Sequence, residues 1–208
     1  MPKPAFISLD GLDGTGKSTQ CRLLADWLRS VGYSVVECAD PGGTAVGDSI
    51  RMLLLDRPHE MTLACEAFLF MASRAQLTAE IIRPALAAGN IVISDRYLLA
   101  NVVYQGHAGG LDPAKLWEIS RLAIGRLEPD LTFVLDLPVE TACARRSGPA
   151  DRMESRGAAF EARVRDGFLA EARQKPDRIR VVDASQTVAA IHNQIRGAVA
   201  SLVNIGAA

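Results

Sequence analysis

Gly11-Leu12-Asp13-Gly14-Thr15-Gly16-Lys17-Ser18 matches the spacing GxxxxGK[ST], and its surroundings give that spacing a mechanism. The apolar run Ala5-Phe6-Ile7-Ser8-Leu9 precedes it and reads as a strand. From Thr19 to Val31, the residues Leu23, Leu24, Trp27, Leu28 and Val31 recur at helical spacing on one face. Between strand and helix, glycines allow a tight loop whose backbone N–H groups converge on phosphate oxygens. The helix opening near Lys17 points the positive end of its dipole at the same anion. Lys17 is expected to reach the β- and γ-phosphates of a nucleoside triphosphate, and Ser18 to offer its hydroxyl to Mg²⁺. The loop from Gly11 to Thr19 is thus the expected cradle for ATP.

Working outward, four more short apolar runs repeat the pattern: Ser34 to Cys38, Asn90 to Ser94, Leu131 to Leu135 and Ile179 to Val182. Most are rich in β-branched residues, which favours strands over pieces of buried helix. Longer stretches with apolar spacing of three and four, such as Leu63 to Leu86 and Pro113 to Leu127, lie between them. Strands alternating with helices imply right-handed crossovers. The expected fold is α/β, a five-stranded parallel sheet flanked by helices. No internal repeat or Pro/Ser-rich linker divides the chain, so residues 1–208 read as one domain.

Composition excludes several classes. The chain has 208 residues, 49% of them hydrophobic and 23% charged, which is the balance of a globular protein and not of a disordered or fibrous one. With 23 basic against 24 acidic side chains, it lacks the basic excess of a general nucleic-acid binder. No apolar run approaches the roughly 20 residues of a membrane span, and Met1-Pro2-Lys3-Pro4 with Asp10 close behind is unlike a signal peptide. A cytoplasmic location is the expectation. Cys21, Cys38, Cys65 and Cys143 form no CxxC or CxxH pair, so neither a zinc site nor a redox motif is suggested.

Two further segments carry chemistry. Ile91-Val92-Ile93-Ser94-Asp95-Arg96-Tyr97 is a strand ending in a carboxylate, at the edge where open α/β sheets bind ligands. Asp95 is placed to hold Mg²⁺ through water, with Arg96 bridging donor and acceptor phosphates. The structural alternative is that Asp95 caps the next helix while Arg96 pairs with it. Asp136 also ends a strand, but Pro138 and a helix follow, which favours capping. The stretch Arg145 to Arg165 holds six arginines around Ser147-Gly148-Pro149 and reads, by itself, as a solvated corner between helices.

Taken together the motifs resemble the thymidylate kinases, over Phe6 to about Ile195. The landmarks occur in order: Gly11 to Thr19, Asp40-Pro41-Gly42-Gly43-Thr44, Phe70 to Gln76 with Phe-x-x-x-Arg, Asp95-Arg96-Tyr97, Asn101 to Gly106, Asp151-Arg152-Met153-Glu154, and Asp183 to Gln186. The resemblance implies transfer of the γ-phosphoryl group of ATP to dTMP with Mg²⁺, in a homodimer of P-loop nucleoside monophosphate kinases.

It also assigns roles. Phe70 would stack on thymine and Arg74, at i+4, would hydrogen-bond the ring, whereas periodicity alone puts Phe70 in a core with Leu63, Phe68, Leu69 and Leu77. Asn101 would lie at the base edge and Tyr104 beside the sugar C2′. Arg51 and Arg96 would bind the acceptor phosphate, Asp40 would act near the acceptor, and Asp13 would lie near the 3′-hydroxyl. Ser185 and Gln186 would border the adenine.

The phosphate loop carries no arginine at Leu12, Asp13, Gly14 or Thr15. The transition-state cation is therefore expected from a short arginine-rich lid at about 145–157, the arrangement resembling the bacterial type. Arg145, Arg146, Arg152 and Arg156 are available there, and Arg152 is the first choice. The chain departs from the family in Ala39 and Asp40, where Arg and Glu are usual, and in Ser73, Leu77 and Ala100. A deoxynucleoside kinase shares the loop and a DR pair but needs fewer acceptor-side cations, and an ATP-driven switch would need an interaction segment that this sequence does not offer.

Overall fold

The computed structural model describes residues 3–55, 60–146 and 152–205. Five parallel strands, β1 (Ala5–Gly11), β2 (Val35–Ala39), β3 (Ile91–Asp95), β4 (Leu131–Asp136) and β5 (Ile179–Asp183), form one sheet in the order β2-β3-β1-β4-β5. β1 lies at the centre, with Leu9 opposite Asp95 on one side and Gly11 opposite Leu135 on the other. The chain leaves β1 toward β3 and β2, then returns to β4 and β5. The loop after β1 therefore opens at the crevice where the strand order reverses, which is where parallel sheets of this kind bind ligands.

β1 is buried throughout, and β4 is buried as far as Leu135, while the edge strands β2 and β5 are only partly covered. This is the signature of a sheet with helices on both faces. On one face, Ile7 and Leu9 pack with Leu24 and Leu28 of α1 (Lys17–Ser30), Val164 and Phe168 of α8 (Ala158–Gln174) and Ile195 and Val199 of α9 (Val188–Leu202). On the other, Phe6 and Val92 meet Leu77, Ile82, Ala85 and Tyr97, with the Phe6 and Tyr97 rings edge-on at 4.8 Å. The alternation along β1 thus sends successive side chains into separate cores.

The apolar runs locate all five strands, and the ladders extend past them. Asp10-Gly11, Ala39, Asp95, Asp136 and Asp183 all lie within strands, because backbone pairing continues across the carboxyl edge whatever the side chain. The expected helix Leu63 to Leu86 is one rod in three parts: α3 (Leu63–Leu77), a wider π turn (Thr78–Ile82) and α4 (Arg83–Ala87). The widening precedes Pro84, which has no N–H to donate. α6 (Pro113–Ala123) ends before the expected Leu127, where Gly125 and Arg126 take positive φ. In α1 the inward face is Cys21, Leu24, Ala25 and Leu28, with Leu23 and Trp27 half-buried and Val31 exposed.

The remaining elements are α2 (Ala45–Leu55), α5 (Leu98–Asn101) running into a π turn (Val102–His107), α7 (Val139–Ala144) and a 3₁₀ turn (Glu154–Arg156). Asp136 does not cap α7: its carboxylate takes a bidentate pair from Arg165 at 2.7 and 2.9 Å. No helix among the described residues is long and apolar enough to cross a membrane. Of the expected lid, Ser147, Gly148, Pro149, Ala150 and Asp151 lie outside the described residues.

Candidate active site

Above the carboxyl edge of β1 and β3 lies a cavity of about 680 Å³. The phosphate loop forms one end. Gly14 has φ +86°, and a Cβ there would stand 2.2 Å from the Ala142 carbonyl oxygen, so α7 packs against the loop only because position 14 has no side chain. Gly16 caps α1 in a left-handed conformation, and Lys17, Ser18 and Thr19 follow it into the cavity wall. Lys17 Nζ donates to the Leu12 carbonyl at 2.8 Å and lies 3.3 Å from Asp13 Oδ1, while the Thr15 hydroxyl also donates to Leu12. Burial, reinforced by Arg96, lowers the pKa of the Lys17 ammonium. A cation held in that condition gains from an incoming anion.

Ser18 Oγ donates to Asp95 Oδ2 at 2.6 Å. The hydroxyl at the start of α1 and the carboxylate at the end of β3 thus meet as expected, and Arg96 does not pair with Asp95. Arg96 sits at φ 68°, and its guanidinium turns back to the loop. Nη1 donates to the Gly11 carbonyl at 2.9 Å, and Nη2 reaches Asp13 Oδ1 at 2.7 Å and Tyr104 Oη at 3.2 Å. Burial alone would raise the pKa of the Asp13 carboxyl, but Arg96 and Lys17 overcome it and hold the group well below the usual carboxylate range. Tyr104, whose phenol is pushed up by burial, packs against Phe160 and Phe168 with ring centroids 6.3 and 6.2 Å away.

The opposite end is assembled from distant segments. Arg74 is 1% exposed and pairs through Nε with Asp40 Oδ2 at 2.5 Å, while its Nη1 donates to Asn101 Oδ1 at 3.2 Å. Burial pushes the Asp40 carboxyl upward, against the pull of Arg74. The carboxylate is one methylene shorter than the family's usual residue and still reaches its partner. Phe70 is half-buried on the cavity wall and Phe68 is exposed, so the core expected from periodicity is not where Phe70 packs. Arg51 lines the same end and donates to the Pro41 carbonyl at 2.8 Å.

The arginine-rich stretch divides. Arg145 and Arg146 line the cavity. Arg146 Nε donates to the Asp13 carbonyl at 3.1 Å, and its other nitrogens grip Glu161 at 2.6 and 2.9 Å. Arg145 donates to the Ala184 carbonyl at 3.1 Å, beside Ser185 and Gln186, which form a turn around Asp183 and not part of the cavity wall. Arg152, the first choice from sequence, is placed elsewhere: it pairs with Glu66 at 2.6 Å and donates to the Leu54 carbonyl. A buried carboxylate on α3 outcompetes the open cavity for that guanidinium.

Sequence reading missed Glu66, Glu161, Gln105 and Asp10. A lone acid within the apolar run of α3, in helical register with Phe70 and Arg74, is the signal that marks Glu66. Asp10 is 0% exposed with neither carboxylate oxygen hydrogen-bonded among the described residues, and burial pushes its pKa up to about 7.

Six cations (Lys17, Arg51, Arg74, Arg96, Arg145 and Arg146) against three carboxylates (Asp13, Asp40 and Asp95) line the cavity among the described residues. A glycine-rich loop feeding α1 at the switch point of a parallel sheet defines the P-loop class of nucleotide-binding proteins. Residues 9–195 match the family model for thymidylate kinase. Thymidylate kinases of Rhodopirellula baltica and Symbiobacterium thermophilum are 50% and 46% identical, covering 88% and 92% of this chain and 75% and 90% of their own. A crystal structure of thymidylate kinase from Ehrlichia chaffeensis superposes with a TM-score of 0.79 at 31% identity, covering 95% of this chain and 99% of that one. The chain belongs to the thymidylate kinase family.

Proposed function

We propose that this chain transfers the γ-phosphoryl group of ATP to dTMP, giving ADP and dTDP. Family membership supports the reaction. The observation that carries the reading is a phosphate loop sharing one cavity with two further cations, Arg96, which reaches the loop itself, and Arg51 at the opposite end. An acceptor that is already a phosphate needs those cations and no general base, so catalysis reduces to alignment and charge stabilisation. In this reading Gly11 to Thr19 hold the ATP phosphates and Lys17 follows the transferred group. Asp13 and Arg96 stand between donor and acceptor, while Phe70, Arg74, Asn101 and Tyr104 receive the nucleoside. Arg146 takes the place of Arg152 as the lid cation nearest the phosphates, with Arg145 toward the adenine.

The oxygen donors Ser18 and Asp95, hydrogen-bonded at the loop's mouth, suit hydrated Mg²⁺, which would neutralise charge across the β- and γ-phosphates. The exposed apolar side chains of Met52, Leu53 and Phe68 on α2 and α3 support a homodimer, to be tested by light scattering.

The deciding assay couples ADP release to turnover with ATP and Mg²⁺, offering dTMP, dUMP, dCMP, AMP and thymidine separately. Turnover with dTMP well above the others is expected. Turnover with thymidine alone would make the protein a nucleoside kinase and remove the phosphate roles of Arg51 and Arg96.

A further inference from the structure

Glu66 lies outside the cavity wall, in the first turn of α3, at 0% exposure. Its Oε2 takes ion pairs from Arg152 at 2.6 Å and from Arg156. Its Oε1 accepts from Gln105 Nε2 at 2.8 Å. A carboxylate this deep is tolerated when its charge is matched and its lone pairs are filled, and here both conditions are met by groups that lead back to the active site in two directions.

One branch runs toward the phosphates. Arg156 lies over the Phe160 ring at 4.8 Å in the first turn of α8. The next residue, Glu161, grips Arg146, which reaches the Asp13 carbonyl of the phosphate loop. The other branch runs along the acceptor wall. Gln105 Oε1 accepts from Asn101 Nδ2 at 2.7 Å, and Asn101 Oδ1 accepts from Arg74 Nη1. An amide side chain can face either way by itself. This pair is held between a carboxylate that only accepts and a guanidinium that only donates, so the donor and acceptor edges offered to a base are fixed from both ends.

We infer that Glu66 is a positioning residue for the transfer reaction: its single carboxylate seats the start of α8 that holds Arg146 over the phosphate loop, and sets the sense of the Gln105–Asn101 amides on the acceptor wall. The inference rests on the reading of the cavity as an ATP and dTMP site.

Steady-state kinetics on Glu66→Gln, Glu66→Leu and Arg156→Ala test it, with folded fraction and melting temperature measured on the same samples. Glu66→Gln keeps an acceptor for Gln105 but loses the charge. Its kcat should fall about tenfold or more while KM for dTMP stays within about threefold. Glu66→Leu removes both functions and should add a rise of about tenfold in KM for dTMP. Arg156→Ala leaves Arg152 on the carboxylate and so tolerates failure of the leucine variant to fold; its kcat should fall about three- to tenfold with KM for dTMP unchanged.

If Glu66→Gln and Arg156→Ala keep kcat per folded molecule within about twofold of the parent, Glu66 is a structural ion pair and the inference is wrong. A leucine variant no different in KM from the glutamine variant would remove the acceptor branch. A parent enzyme silent with dTMP is a separate outcome, which would sink the functional reading and this inference with it.

Discussion

The two ends of the cavity are built on different principles. The phosphate end is the eight consecutive residues Gly11 to Ser18, joined by Arg96 from the end of β3, and Lys17 and Arg96 both contact Asp13 there. The acceptor end draws Asp40, Phe70, Arg74 and Asn101 from three segments, with Phe70 and Arg74 both on α3, and its Asp40–Arg74 pair is buried and matched one to one. At the first end one carboxylate, Asp13, is shared by two cations, so positive charge is left over for an incoming anion. The second is part of the interior, so the side chains proposed to receive the nucleoside also hold the fold together.

That contrast is open to breakage. The largest effect is expected for Arg74→Ala, which strands the Asp40 carboxylate in the interior. Unfolding free energy should drop by about 3–5 kcal/mol, and a denaturant titration reads it directly. A loss below about 1 kcal/mol would mean that Asp40 is not carrying a charge that needs Arg74.

Lys17→Ala should divide the two properties the other way. Loss of a donor aimed at the moving phosphoryl group costs roughly 10²–10³-fold in kcat. Stability should stay within about 1 kcal/mol, because a buried ammonium with a lowered pKa contributes little to the folded state. Equal damage to turnover and stability would erase the distinction between the two ends.

The sharpest test uses pH. Asp10 titrates near 7 in the folded chain against about 3.8 when exposed. Between those values the native state retains a proton that the unfolded state has lost, so this group makes stability fall as pH rises from about 4 to about 7, and the effect levels off above that. Asp10→Asn should flatten that part of the melting-temperature profile. A profile of unchanged slope would show that Asp10 is ionised when buried.

The same division explains what the sequence disclosed. A contiguous loop between strand and helix is legible because its chemistry is local, and the five apolar runs placed every strand for the same reason. Phe70 and Arg74 were readable as a site only through resemblance, since helical spacing alone sent Phe70 to a core. The placement of Arg152 could not be read from its neighbours: its partner Glu66 sits on another helix, and no local rule says which of several arginines a distant buried carboxylate will hold. Asp10, Gly11, Ala39 and Asp183 fell outside the apolar runs because those runs follow side chains, while the ladder is made of backbone and continues past them.

Arg96 carries one more consequence. Its φ of 68° is a conformation that costs a residue with a side chain about 1–3 kcal/mol. An arginine on an open surface keeps many rotamers, and a ligand that fixes it must remove up to roughly 2 kcal/mol of that freedom. Here the turn of the chain, the Gly11 carbonyl, Asp13 and the Tyr104 ring have already chosen the rotamer. The disorder is spent when the protein folds, so a phosphate arriving at the cavity meets a cation that has stopped moving.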